Sequence, residues 1–186
     1  MKTVKSTFAV LGAAILIGMA PVYALADPPK DPVSDGQLAK RIRHELVTLP
    51  YYGIFDNLAY SINGSTVTLY GQVVRPTTRS GAERVVKRLP GVARVINNIK
   101  VLPLSGFDDD IRVATYRSIA RTGGLYRYLG GNNPSIHIVV DHGHVALEGV
   151  VSNSGDRTLA YMAASSVPGV FSIANNLHVQ GENELR

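Results

Sequence analysis

Between residues 112 and 128 the chain places Arg112, Tyr116, Arg117, Arg121, Tyr126, Arg127 and Tyr128 in close succession. Guanidinium groups grip phosphate oxygens through paired N–H donors, and tyrosine rings settle where water meets acyl chains. That is chemistry suited to an anionic membrane surface, and these seven residues are expected to touch lipid headgroups. A second group is histidine. On a strand reading, His137, His144 and His178 share one parity, and Glu148 lies four residues beyond His144 on the same face. Three imidazoles and a carboxylate can ligate zinc or copper. Exposed or interdomain histidines account for the same pattern, so the expectation is no metal and no cofactor.

Catalytic chemistry has little footing. There is no cysteine, hence no disulfide, thiolate nucleophile or cysteine-held metal. Neither a Gly-x-Ser-x-Gly elbow nor a His-Glu-x-x-His helix occurs. Glu83 with Asp56, or Asp156 with Glu148, are available carboxylate pairs, but nothing in the sequence brings either into a cleft. The expectation is a protein that is not an enzyme. The formal charge is +5, from 19 basic and 14 acidic residues. It is unevenly spread: residues 34–103 hold ten Lys and Arg against four acids, and residues 104–180 hold five against six. Excess positive charge favours anionic partners.

The elements that position these residues occur twice. Residues 145–179 lie over residues 67–101 without a gap, and Val67/Val145, Leu69/Leu147, Gly71/Gly149, Val73/Val151, Arg79/Arg157, Ala82/Ala160, Pro90/Pro168, Gly91/Gly169, Asn97/Asn175 and Asn98/Asn176 are identical pairs. The chain is a tandem duplication. In the first copy Leu38, Ile42 and Leu46 make the stripe of a helix that begins at Ser34 or Asp35 and stops before Pro50. Leu58, Tyr60 and Ile62 alternate along a strand, with Asn63-Gly64 at the hairpin tip. Val67, Leu69, Gly71 and Val73 line the return strand. Ala82, Val85, Val86 and Leu89 mark a second helix, ended by Pro90-Gly91, and residues 93–102 form the last strand.

The second copy opens at Asp108-Asp109-Asp110, acids expected to cap a helix and offset its dipole. A loop at 123–131, rich in glycine, tyrosine and arginine, is longer than its counterpart. The strand glycines Gly71 and Gly149 are expected to let a helix approach the sheet closely. The expected fold is α+β: two αββαβ modules, each a three-stranded sheet with two helices on one face.

The N-terminus has a different character. Lys2 and Lys5 precede an apolar run at 8–20, and Ala24-Leu25-Ala26 follows. This pattern predicts a secretory signal cut after Ala26, in a run shorter than the ~20 residues a spanning helix needs. Pro28, Pro29 and Pro32 make residues 27–33 a linker. The expected boundaries are a signal at 1–26, a linker at 27–33, modules at 34–103 and 108–180, and a tail at 181–186. Removal of two signal lysines lowers the charge to +3, and export takes the chain away from nucleic acid.

Two copies of this order, each with an apolar-x-apolar-x-Gly-x-apolar strand and a Pro-Gly-Val turn leading to Asn-Asn, resemble the BON domain, found in osmotically induced periplasmic proteins. Gly71, Pro90, Gly91, Gly149, Pro168 and Gly169 match its motif. The resemblance implies a periplasmic, peripheral protein of the cell envelope that associates with anionic phospholipid without catalysis, in envelope maintenance or osmotic stress. The alternative is a periplasmic stress protein or chaperone that binds unfolded or envelope polypeptides, through the open sheet face with Val139, Ala146, Val150 and Ala174.

Overall fold

A computed structural model describes residues 35–131 and 133–181. The expected signal, linker and most of the tail lie outside the described residues. Helix α1 (Asp35–Val47) buries Leu38, Ile42 and Leu46 at four-residue spacing. Strand β1 (Asn57–Asn63) pairs antiparallel with β2 (Thr66–Val73). Helix α2 (Pro76–Lys87) follows, and the chain returns parallel to β2 as β3 (Arg94–Asn97) and β4 (Lys100–Val101). Val67, Leu69 and Val73 are fully buried against Ile42, Ala82 and Val86, so the helices cover one face. Each such aliphatic side chain contributes roughly 1.5–3 kcal/mol by leaving water. Tyr60 adds a tie from sheet to helix by donating its hydroxyl to the Ala39 carbonyl at 2.8 Å.

The second module repeats the order with α3 (Gly106–Ala120), β5 (Ile136–Asp141), β6 (His144–Val151), α4 (Ser154–Ser165) and β7 (Ser172–Val179). Its sheet order is β5-β6-β7, with the first pair antiparallel and the second parallel. The fold is therefore α+β in two αββαβ modules, as the periodicity predicts. Repeated polar residues have repeated structural jobs. Asn97 donates its amide to the Arg79 carbonyl at 3.2 Å and Asn175 to the Arg157 carbonyl at 3.1 Å, tying the last strand to the second helix in both copies.

Several local expectations change. Gly71 and Gly149 have φ of +108° and +117°, and an added Cβ would stand 2.0 Å from the Asn57 carbonyl oxygen or 2.1 Å from that of Ser135. The crowding partner is the neighbouring strand, not a helix. Asn63 stays in β1 opposite Thr66, so the first hairpin turns on Gly64-Ser65. Glycine with positive φ at the first central position suits that turn. The second hairpin turns on His142-Gly143, both with positive φ, and the His142 Nδ1 bonds Asp141 at 2.7 Å.

Helix α3 starts at Gly106, ahead of the three acids, with the Ser105 side chain accepting from the Asp108 amide. Asp108 is fully buried and does not cap its own helix. It accepts from the His142 and Gly143 amides at 3.0 and 2.8 Å, clamping the β5–β6 turn onto α3.

The modules join through residues 49–56. Ile54 and Phe55 pack against the core of the second module, and the Ile54 carbonyl accepts from the Ile138 amide of the edge strand β5 at 2.7 Å. Tyr52 stacks near His137, with ring centroids 5.6 Å apart, and the His137 ring nitrogen lies 3.3 Å from the Gly53 carbonyl. The buried Asp56 carboxylate holds this loop by accepting from the Gly53 and Val74 amides at 3.1 and 2.7 Å. Burial raises its pKa, since these bonds only partly replace lost hydration. Burial, and then the nearby Asp56 charge, push the Tyr52 hydroxyl up to about 12.

Candidate functional site

The structure divides the seven arginines and tyrosines into two groups. Arg112 is 2 % exposed: its guanidinium donates to the Val140 carbonyl at 2.7 Å and pairs with Asp109 one turn back. It ties α3 to β5 and cannot reach a membrane surface as placed. Tyr128 is also turned inward. The loop at 123–131 folds as a single 3₁₀ turn, Leu125–Tyr128, whose Leu125 and Tyr128, with Leu129, enter the core of the second module. The Tyr128 hydroxyl donates to Asp156 at 2.6 Å and accepts from the Ser152 amide at 3.0 Å.

Arg127 lies over the Tyr128 ring at 4.6 Å and reaches the same Asp156 carboxylate at 2.6 Å. Asn153 caps α4 by accepting from the Asp156 amide and donates its own side-chain amide to that carboxylate. The Tyr128 bond first, and then the Arg127 pairing, hold the Asp156 carboxyl below the usual carboxylate range. This network fastens the turn to α4 and occupies Arg127.

The remaining residues stay free. Val113, Tyr116, Arg117 and Arg121 recur at three- and four-residue spacing along the exposed side of α3. Neither the Arg117 nor the Arg121 guanidinium makes a hydrogen bond or ion pair among the described residues. Both line a groove of about 410 Å³ with Ser118, Thr122, Ser166 and Pro168. The hydroxyls are spent as donors: Ser118 and Ser166 both donate to the Ala163 carbonyl, at 2.7 and 2.8 Å, and Thr122 to that of Ser118 at 2.8 Å. Donors for an incoming anion therefore come from the two guanidiniums. Tyr126, 68 % exposed, stands on the 3₁₀ turn beyond the helix.

On the other side of the stripe, Val113 and Tyr116 border a groove of about 720 Å³ between the modules, walled also by Val47, Leu49, Ile54 and Phe55.

The histidines are not brought together. His137 is opposite Glu148, His178 opposite Val150, and His144 opposite Asp141 at the far end of the hairpin. His144 bonds the Ser172 hydroxyl at 2.7 Å. Among the described residues no group of three His, Cys, Asp or Glu could hold a metal ion. The carboxylate pairs also separate. Glu148 accepts from Asn176 on the sheet while Asp156 serves the α4 network, and Glu83 accepts from Asn97 while Asp56 holds the seam loop.

Sequence reasoning missed the seam residues Ile54 and Phe55. It also missed Phe107 and Phe171, exposed by 50 % and 70 % with rings 6.0 Å apart beside the β5–β6 turn. Ile54, Phe55 and Phe171 lie in loops and Phe107 is an exposed residue in the first turn of α3, so no hydrophobic period marked them.

A family profile described as the BON domain matches residues 34–103 and again 108–181. Among solved structures, this chain is similar to the C-terminal domain of CdsD, a structural protein of the Type III secretion system of Chlamydia trachomatis. Identity is 12 % and the TM-score 0.31, over 79 % of this chain and 99 % of that one. A second structure of CdsD gives 13 % and 0.28, over 79 % and 95 %. No curated protein matches.

Proposed function

Because this chain belongs to the BON domain family, with two copies in tandem, we propose that it is a non-catalytic binding protein of the cell envelope that associates peripherally with anionic phospholipid. The observation that carries this reading is the free side of α3. Arg117 and Arg121 are exposed and unpaired, and Tyr116 stands beside them. Cations supply the attraction to a headgroup layer and an amphipathic ring supplies interfacial depth. Tyr126 extends the surface, whereas Arg112 and Tyr128 support it from within and Arg127 is taken up by Asp156. Among the described residues no helix is long and apolar enough to cross a membrane. Export, with cleavage after Ala26, belongs to the same proposal, and N-terminal sequencing of protein from the cell envelope checks it.

Each arginine near an anionic surface contributes about 1 kcal/mol, so removing two weakens binding by about thirtyfold. Cosedimentation with vesicles containing phosphatidylglycerol, against pure phosphatidylcholine, is the test. Binding should require phosphatidylglycerol and fall by that factor in the Arg117→Ala/Arg121→Ala protein, while Arg127→Ala changes it little. Equal binding to both vesicles, or no response to the double substitution, refutes the proposal.

A further inference from the structure

The groove between the modules differs chemically from the α3 surface. Its chamber of about 720 Å³ lies within the ~300–1,000 Å³ range of small-molecule sites and occupies a domain interface, where such sites concentrate. Its walls are mostly apolar: Val47 from the end of α1, Leu49, Ile54 and Phe55 from the seam loop, Val113 and Tyr116 from α3, and Leu129, with Thr48 as a polar member. At one end it shares Val47, Tyr52 and Pro134 with a smaller recess of about 250 Å³, where the lining turns polar. Arg43, Asn57, Asn133 and His137 line that recess. Among the described residues no acid lines either space. The nearby Asp56 carboxylate is spent on the Gly53 and Val74 amides.

An apolar chamber that opens into a small cationic recess complements a molecule with one long tail and one small negative head. We propose that this groove binds a single long-chain fatty acid, its tail between the modules and its carboxylate toward Arg43. The recess is too small and too short of cations for a second role in gripping a bilayer, and Arg117 and Arg121 line a different groove. Tyr116 borders both surfaces, so the two sites are told apart by their cations, Arg43 here and Arg117 with Arg121 there.

The test is titration of the purified, delipidated protein with laurate, myristate and palmitate below their micellar concentrations, followed by calorimetry. Binding should saturate at one per chain and tighten roughly fourfold for each added methylene, the share of a buried CH₂, until the chamber is full. An added side chain at Gly53 meets nothing within 4 Å at its Cβ, so Gly53→Phe narrows the groove without backbone conflict. It should abolish palmitate binding with an unchanged circular dichroism spectrum. Arg43→Glu should weaken palmitate at least tenfold and leave the uncharged alcohol hexadecanol unaffected. Arg117→Ala/Arg121→Ala should bind palmitate normally, which separates this result from vesicle binding.

Absence of saturable palmitate binding, affinity independent of chain length, or full affinity in Gly53→Phe overturns the proposal. So does tighter binding of lysophosphatidylglycerol than palmitate. Displacement of palmitate by an apolar peptide, or a groove that Gly53→Phe shows to be a dimer contact, also overturns it.

Discussion

Replacing Gly149 with alanine should cost far more than the single methyl suggests. Alanine at φ near +117° carries strain of about 1–3 kcal/mol, because its Cβ crowds the following backbone. The Cβ would also stand 2.1 Å from the Ser135 carbonyl oxygen, so β5 and β6 must separate. That oxygen accepts from the Val150 amide at 2.8 Å, a bond worth about 1 kcal/mol that the movement weakens. Against this, losing glycine's freedom in the unfolded chain returns about 0.4–1 kcal/mol. The net expectation is about 1–3 kcal/mol, a large part of the stability of a small domain. Gly71→Ala should match it, since Asn57 stands 2.0 Å from the same construction in the first copy. Gly130→Ala is the control, with ordinary φ and nothing within 4 Å of its Cβ. Urea unfolding followed by circular dichroism measures all three. A loss below 1 kcal/mol at both strand glycines, or an equal loss at Gly130, would refute the argument that backbone conformation and strand approach select glycine there.

Two further predictions concern pH. Asp156 has a depressed folded pKa, so its contribution is present above the unfolded carboxylate value near 4 and is lost as pH falls through the folded one. Asp156→Asn should lower stability at pH 7 and flatten its decline below pH 4, read by urea midpoints across that range. His137 is likewise depressed, by burial against Tyr52, so the seam favours the neutral ring. Its stabilising effect is present above pH 6.5 and disappears as pH falls through the folded pKa. Hydrogen exchange at the Ile138 amide should therefore accelerate between pH 6.5 and 5 beyond its intrinsic trend, and His137→Phe should remove the excess.

The framework was legible because its signals repeat. Leu38, Ile42 and Leu46, the alternation from Leu58 to Val73, and the Asn-Asn ending each state a period or a position twice. Helix α3 was harder to read because its buried stripe runs Asp108, Ile111, Arg112, Thr115 and Ile119. Three polar residues occupy core positions there, so a hydrophobic period cannot reveal the inward face, and Arg112 looked like a surface cation. Tyr128 misled for a related reason. Its hydroxyl partner, Asp156, is remote in sequence, and the core spacing of Leu125, Tyr128 and Leu129 was hidden among glycines. The Gly64-Ser65 turn was displaced by one residue because Asn-Gly and Gly-Ser both suit a tight hairpin, and only the pairing of Asn63 with Thr66 decides between them. The groove between the modules depends on loop residues from both copies, which no local pattern brings together.

The bond from the Ile138 amide to the Ile54 carbonyl makes the order of the copies matter. An unoccupied sheet edge is a template for adding strands, and here the first module covers part of the edge of the second. The service is not returned by sequence symmetry, because residues 49–56 precede β1 whereas a folded 3₁₀ turn and the glycines after it precede β5. A second module expressed alone would therefore present a bare β5 and the apolar surface beneath Ile54 and Phe55, inviting self-association. Duplication has produced a chaperoned edge within one chain, so reversing the copies would uncover that edge and change an assembly property.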